Sequence, residues 1–191
     1  MEMNRICCYL CLLWLLGIGF TVEAARRLRY MVNFHGFDCI NSWSIIKNWS
    51  CVIVENGNIN TELTLLEPMP VVWINCKLIV LRPPQKTEMV IFNTTLDICK
   101  LLSSGSTANK LVTSVYQTML KATNLVPQCP IRKGLLYFHN MGDLEKLPAF
   151  MPEMDFKIYI KFFKPNSAEN LEVFLNGSLI EINRLRQKLI H

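Results

Sequence analysis

The residues in this chain whose types could do chemistry are mainly cysteines. Three of the eight, Cys7, Cys8 and Cys11, lie in the apolar segment at the N-terminus. The cysteines that remain after this segment are Cys39, Cys51, Cys76, Cys99 and Cys129. Because five is an odd number, one chain can form at most two disulfides, and one thiol stays free or pairs between chains.

The N-terminal segment has the features of a secretory signal peptide over residues 1–24. Arg5 gives a short positive start, and the apolar run Ile6–Phe20 has about the length of a signal core. The alternative is a membrane anchor, which needs an uninterrupted apolar run of roughly twenty residues. The run Ile6–Phe20 is shorter than that. We therefore predict a secreted, extracellular mature chain with no membrane span. It forms a single domain, residues 25–191, in a compartment where disulfides persist.

Three Asn-x-Ser/Thr sequons fit the same export route and predict glycosylation at Asn48, Asn93 and Asn176. The formal net charge of the whole chain is only +5, and the one dense basic cluster lies at residues 26–29. We interpret this cluster as a solvated start of the mature chain, the alternative being a patch for nucleic acid or lipid head groups. The sequence therefore predicts no nucleic-acid partner.

Signatures of an enzyme are missing from the sequence. The histidines are His35, His139 and His191, and no two of them have metal-ligand spacing. The mature chain also has no Cys-x-x-Cys, no G-x-S-x-G and no phosphate-binding glycine loop. We predict that the protein is not an enzyme and that it holds neither a cofactor nor a metal.

Carboxylates in two segments of the sequence could suggest catalysis. Asp97 lies two residues before Cys99, and we interpret it as a residue that makes local hydrogen bonds. Glu153 and Asp155 occupy alternate positions, which is more typical of a solvated strand face than of an acid–base pair.

The elements that must position these residues are mostly strands, as runs of β-branched and aromatic residues indicate. The predicted strands are Tyr30–Cys39, Ser50–Val54, Asn60–Leu66, Val71–Leu81, Glu88–Lys100, Gly134–Phe138, Phe156–Phe162 and a hairpin over Leu171–Ile182 that turns at Asn176-Gly177. Apolar residues at helical spacing predict one short helix over Thr107–Thr123, with its N-cap in residues 103–107. The class is thus mainly β and antiparallel, and we predict an immunoglobulin-like two-sheet sandwich, with a closed barrel as the alternative.

Several segments resemble a large insect family of small secreted proteins that carry a domain of unknown function. The segments are Phe92–Leu101, Val115-Tyr116, Asn124–Pro130, Gly134–Leu136 with Asn140, and the cysteine pair Cys39 and Cys51. The family is akin to the CheB chemosensory proteins. More distantly, it is similar to the ML lipid-recognition proteins, which include the ganglioside activator.

The resemblance implies an ML-like β-sandwich whose sheets part to form an apolar pocket. It also implies disulfides between Cys99 and Cys129 and between Cys39 and Cys51, which leaves Cys76 unpaired. Because Cys76 lies within a strand pattern, we interpret it as a buried, inert thiol, the alternative being a reactive one. One departure is the segment Pro152–Phe156, where relatives have a Pro-x-Gly-x-Tyr-like start of a late strand. The missing glycine predicts an altered turn and, if this loop lines the pocket mouth, a different choice of ligand.

The resemblance predicts a non-enzymatic carrier for a lipid or other hydrophobic small molecule, with a role in chemical sensing. Candidate pocket residues are Trp73, Phe92, Phe138, Phe156, Ile158, Ile160 and Phe162, for each of which core packing is the alternative. The other functional hypothesis is a glycoprotein interaction module that binds a receptor or a secreted protein and holds no small ligand. A filled core with an exposed apolar patch would favour the module.

Overall fold

The computed structural model describes residues 30–55, 57–82, 84–142 and 153–181. The predicted signal peptide, the basic cluster at 26–29, Pro152 and His191 lie outside the described residues. None of the helices that the structure describes is long and apolar enough to cross a membrane.

The described residues form eight strands, all of which pair antiparallel. Their bounds are β1 Tyr30–Asn41, β2 Ile46–Ile53, β3 Ile59–Leu65, β4 Trp73–Arg82, β5 Thr87–Asp97, β6 Gly134–Met141, β7 Met154–Phe163 and β8 Asn170–Glu181. A five-stranded sheet has the order β1-β8-β7-β4-β5, and a three-stranded sheet has the order β2-β3-β6. The predicted mainly β, antiparallel class is confirmed.

Two short helices follow β5, where the sequence predicted one. They are α1, over Ile98–Ser104, and α2, over Lys110–Lys121. The single-helix prediction was wrong because it extended β5 to Lys100, whereas the strand ends at an N-cap residue, Asp97. Its Oδ1 atom accepts hydrogen bonds from the backbone N–H groups of Cys99 at 2.9 Å and Lys100 at 3.2 Å. The interpretation of Asp97 as a local hydrogen-bonding residue is thus confirmed.

The break between the helices comes from Gly105. Its φ of 71° lies in the left-handed region, which glycine adopts without a steric penalty, and α1 therefore ends there. The N-cap of α2 is Asn109, whose side chain accepts from the backbone N–H groups of Leu111 and Val112. This cap lies two residues beyond the predicted stretch 103–107.

The predicted hairpin at Asn176-Gly177 is wrong, because β8 runs through these residues without a turn. Buried and more exposed residues alternate along its length: Leu171, Val173, Leu175, Gly177 and Leu179 are all buried. This period-two pattern continues past the Asn-Gly pair, so it outweighs the local turn signal.

Gly177 has a different role, which is to allow close packing between three strands. A Cβ atom at this position would lie 2.6 Å from the backbone oxygen of Asn33 and 2.8 Å from Cζ of Phe156. Phe34 on β1 and Phe156 on β7 both pair with Gly177. Their rings meet edge to face, with centroids 6.1 Å apart, over the space that the missing side chain leaves.

We expect Gly177→Ala to destabilise the fold by about 1–3 kcal/mol, because the new methyl group meets backbone that cannot move easily. Urea unfolding would measure the loss. Gly36→Ala is the matched control: the three atoms nearest to its Cβ would all belong to the side-chain amide of Asn176, with Nδ2 at 2.8 Å. Because a side chain can move away, the control should lose less stability, and an equal loss would contradict this explanation.

The free edge of β6 is covered by the segment that follows α2. The Asn124 side chain donates to the carbonyl oxygen of Leu135 at 2.8 Å and accepts from the N–H of Tyr137 at 2.9 Å. The Thr123 hydroxyl donates to the Tyr137 carbonyl at 2.6 Å. Two side chains thus make the hydrogen bonds that a neighbouring strand would otherwise make.

Most of the buried apolar residues form one large cluster, to which both sheets and both helices contribute. Its buried members are Trp43, Ile46, Ile59, Leu65, Met69, Val72, Leu101, Leu102, Tyr116, Ile131, Leu171, Val173 and Leu175. A small cluster consists of Val32, Val80, Phe156 and Leu179. All described members of the small cluster belong to the five-stranded sheet, whereas the large cluster joins the two sheets.

Two disulfides reinforce this arrangement. Cys39–Cys51 joins β1 to β2 and so links the two sheets, and Cys99–Cys129 joins the start of α1 to the segment before β6. Both pairs are those that the family resemblance implies. Cys76 forms no disulfide with any residue that the structure describes.

Candidate functional site

The strand register aligns a row of apolar side chains on one face of the five-stranded sheet, which we call the apolar face. Paired residues of antiparallel strands point to the same side, so each residue on β7 has a neighbour on β4. The members on β7 are Phe156, Ile158, Ile160 and Phe162, and opposite them on β4 lie Val80, Leu78, Cys76 and Ile74. Phe92 and Leu96 on β5 continue the row beside Leu78 and Ile74.

Burial along the apolar face is uneven. Val80 and Phe156, in the small cluster, are almost fully buried. Leu78, Cys76, Ile158 and Ile160, farther along the same two strands, are only half-buried. Apolar side chains in the middle of a closed core would be expected to lose nearly all contact with water. The middle of this face therefore has apolar surface that another group could cover.

The structure distributes the seven candidate pocket residues over three sheet faces. Phe156, Ile158, Ile160, Phe162 and Phe92 lie on the apolar face. Phe138 pairs with Thr61 on β3 and so shares a face with Leu63 and Leu65 of the large cluster. Trp73 differs: it pairs with Phe163, on the opposite face of the five-stranded sheet.

Sequence reasoning missed Phe34 and Phe37, which pack against the large cluster from β1. A simple alternation does not predict both, because the register shifts between Phe34 and Gly36, where His35 is the extra residue. Leu78 was also missed, although strand alternation puts it on the same face as Cys76, two residues earlier.

The Cys76 thiol lies in the middle of the apolar face, between Ile160 on β7 and Thr94 on β5. Burial raises the pKa of this thiol to about 11, from an ordinary value of 9.0. Since the thiolate is the reactive form, the native thiol should be inert near neutral pH, as the sequence predicted.

We expect iodoacetamide to alkylate Cys76 at pH 8 about a hundredfold more slowly in the native protein than in urea, because the thiolate fraction is lower by that factor. The native rate should rise as the pH approaches 11. Stability should fall over the same range, because the unfolded thiol ionises first. Mass spectrometry of the alkylated protein would give both rates, and equal rates would contradict the raised pKa of the thiol.

The opposite face of the five-stranded sheet carries ion pairs as well as the buried side chain of Ile79, which is 4% exposed. Lys157 and Glu88 form an ion pair at 2.6 Å, and Lys161 and Glu172 form another at 3.0 Å. The hydrogen bond from Lys157 lowers the pKa of Glu88, and the same bond raises the pKa of Lys157. Both groups of this first pair are solvated, so the pair contributes little to stability.

A histidine, a serine and an aspartate form a chain of hydrogen bonds on this opposite face. The Ser178 hydroxyl donates to Oδ1 of Asp155 at 2.7 Å, and Nε2 of His35 lies 2.7 Å from the same hydroxyl. Because the single hydroxyl proton points to Asp155, His35 must donate to Ser178. A serine nucleophile needs the reverse, a histidine that accepts the serine proton, so this order does not match a catalytic triad.

Other polar groups of interest also lie at the surface. Nε2 of His139 is 2.7 Å from Oε1 of Glu62, and both side chains are well exposed. No group of three or more histidine, cysteine or carboxylate side chains that could hold a metal is found among the described residues. The sequon asparagines Asn48, Asn93 and Asn176 are all exposed. The last two lie on the opposite face, away from the apolar row.

The segment that departs from the family pattern leads directly into β7. Met154 is the first residue of the strand. Just before it, the Glu153 carboxylate accepts a hydrogen bond of 3.0 Å from the backbone N–H of Glu181, at the end of β8. Asp155 bonds Ser178 and lies 3.9 Å from Lys86. These two carboxylates thus bond to different partners.

Comparison with curated proteins finds no match to this chain. A comparison with family models matches a segment that covers less than half of the 191 residues and includes β4 from Ile74 onward, β5, both helices and β6. Residues 74–158 match the family described as a protein of unknown function, DUF1091.

Proposed function

We propose that the protein is a secreted, non-enzymatic binding protein for a lipid or other hydrophobic small molecule, with a role in chemical sensing. In this proposal the two sheets form an ML-like sandwich, and the ligand lies between them against the apolar face. The chemosensory role and the ML-like type rest on the resemblance of the Phe92–Leu101 and Asn124–Pro130 segments to the insect family.

The observation that carries the proposal is the incomplete burial of the apolar face around Leu78, Cys76, Ile158 and Ile160. Exposed apolar surface costs free energy in proportion to its area, so covering it with a hydrophobic ligand is favourable. Ligand sites are typically mostly apolar with few polar groups, and the paired residues of β4 and β7 in this row are all apolar apart from the Cys76 thiol.

Secretion and glycosylation are part of the same proposal. The two disulfides fit an oxidising compartment. Glycans at Asn93 and Asn176 would lie on the opposite face of the five-stranded sheet and would leave the apolar face clear.

A pair of tryptophan substitutions on β4 tests the proposal. Leu78→Trp adds bulk on the apolar face, and Lys77→Trp adds the same side chain one residue earlier, where the pleat directs it to the other face. We expect Leu78→Trp to weaken binding of a neutral fluorescent fatty-chain probe at least tenfold, a loss of about 1.4 kcal/mol. Lys77→Trp should bind as the wild type does.

Mass spectrometry of small molecules that co-purify with the oxidised mature protein complements this test. Repeated recovery of one lipid class would support a carrier, and that class should be lost from Leu78→Trp alone. Equal binding by both variants, or a wild-type protein that neither retains lipid nor binds the probe, would contradict the proposal.

An interaction module is the second candidate, and exposed apolar residues on β5 favour it. Val90 and Ile91 are 52% and 45% exposed and lie on an edge strand of the five-stranded sheet. A partner protein could extend such an edge by adding a strand. The absence of any retained lipid or bound probe in the experiments above would favour this second function.

A further inference from the structure

Two polar atoms in the large cluster are buried and make no hydrogen bond to any residue that the structure describes. They are the indole Nε1 of Trp43 and the phenol Oη of Tyr116. Trp43 is 3% exposed and Tyr116 is 9% exposed. Since buried polar groups are nearly always paired, two such atoms in one cluster require an explanation.

Neighbouring residues contact the backbone and the ring face of Trp43 but leave its indole N–H unpaired. The Asn41 side chain accepts from the Trp43 backbone N–H at 2.9 Å and donates to its carbonyl at 3.3 Å. Nζ of Lys164 lies 5.8 Å from the centre of the indole ring, over its face. Neither contact involves Nε1, so the indole keeps one free donor in the core.

The phenol of Tyr116, on α2, is buried and unpaired in the same way. Burial raises the pKa of its phenol, so the group stays protonated and its O–H remains a donor. Both residues pack in the cluster that also holds Leu171, Val173 and Leu175 of β8. Ile158 and Ile160 of the apolar face pack against that cluster. The two donors thus belong to the same core as the proposed ligand surface.

We infer that Trp43 and Tyr116 bind an uncharged oxygen of the hydrophobic ligand, such as the hydroxyl of a long-chain alcohol or the carbonyl of an ester. This inference rests on the proposed function. An indole N–H can only donate, so the ligand atom that it binds must be an acceptor.

The acceptor is assigned as uncharged because no buried residue that the structure describes is charged. A carboxylate buried among these apolar side chains would have no buried counter-ion, which makes its transfer from water unfavourable. A hydroxyl or a carbonyl oxygen would satisfy the two donors without that cost.

Displacement of a neutral naphthylamine dye by ligands of one chain length tests the inference. The ligands are hexadecane, hexadecanol, methyl palmitate and palmitate, each added to the mature, oxidised protein. We expect the alcohol and the ester to bind at least about tenfold more tightly than the alkane, since a single added hydrogen bond would already allow that gain. In Tyr116→Phe, and in Trp43→Phe, the ratio of alcohol to alkane affinity should shrink, because each variant removes one of the two donors.

Tyr159→Phe is the matched control, since it removes a hydroxyl from the opposite face, where the Tyr159 ring packs against Phe174. It should keep the preference for the alcohol. Without ligand, Tyr116→Phe should raise the thermal midpoint, because it removes an unpaired buried group. A lowered midpoint together with an unchanged preference would instead indicate a structural water and would overturn the inference.

The outcomes separate this inference from the proposed function. Dye and alkane binding without any preference for the alcohol would overturn the inference alone. Tighter binding of palmitate than of hexadecanol would overturn the assignment of an uncharged group. Failure of the wild-type protein to bind the dye or any of the ligands would overturn the proposed function and, with it, this inference.

Discussion

Replacing Cys99 and Cys129 together by serine is expected to lower the free energy of unfolding by about 3–4 kcal/mol. The disulfide joins residues separated by 30 positions, and the closed segment contains both helices. Without the link, the unfolded chain gains the conformational freedom of this long loop, which favours unfolding. Urea unfolding of the double variant, with circular dichroism as the readout, would measure the loss.

The second disulfide provides the control for this prediction. Cys39 and Cys51 are separated by only 12 positions, so the same double replacement should cost less, about 3 kcal/mol. A larger loss at Cys39 and Cys51 would contradict the loop-length argument. It would show instead that the link between the two sheets contributes mainly through packing in the folded state.

Leu65→Ala is expected to destabilise the protein by about 2–5 kcal/mol, because it leaves a cavity in the large cluster. Leu65 is 2% exposed, and it brings the three-stranded sheet into the cluster that β8 enters through Leu171 and Val173. The midpoint and slope of a denaturant titration would give the change in unfolding free energy.

The neighbouring residue gives a control of identical chemistry. Leu66 is 49% exposed, so Leu66→Ala should change the unfolding free energy by less than about 0.5 kcal/mol. Similar losses at the two positions would mean that Leu65 is not part of a packed core between the sheets. That result would also remove support for the proposed sandwich.

The strands that the sequence predicted best are those with an unbroken pattern. Val71–Leu81 and Phe156–Phe162 correspond closely to β4 and β7, because β-branched and aromatic residues follow one another there without a competing signal. The cysteine pairs were also predictable, although from the family resemblance and not from the spacing alone.

Errors arose where a local signal competed with a tertiary one. Asn176-Gly177 has the composition of a tight turn, yet Gly177 is needed beneath the rings of Phe34 and Phe156. Ile98 continues the apolar pattern of β5, yet the Asp97 side chain caps a helix there. In both cases the deciding interaction involves the actual positions of atoms, which residue types alone do not provide.

The candidate site was predictable only in part, for a similar reason. Phe156, Ile158, Ile160 and Phe162 share a face by simple alternation. The opposite orientation of Trp73 also follows from alternation, because Trp73 shares its face of β4 with Asn75 and Lys77 and not with Cys76 and Leu78. The unpaired atoms of Trp43 and Tyr116 are also a property of packing, because both residues look like ordinary core aromatics in the sequence.

The Asn124 side chain at β6 also bears on how the protein behaves at high concentration. An uncovered sheet edge is a template on which another chain can add a strand, which is how ordered aggregates begin. At Leu135 and Tyr137 the side-chain amide of Asn124 already bonds to the backbone groups of this edge. An Asn124→Leu variant would leave these backbone groups unpaired, and fibril formation should then start on the side of the molecule where β6 lies.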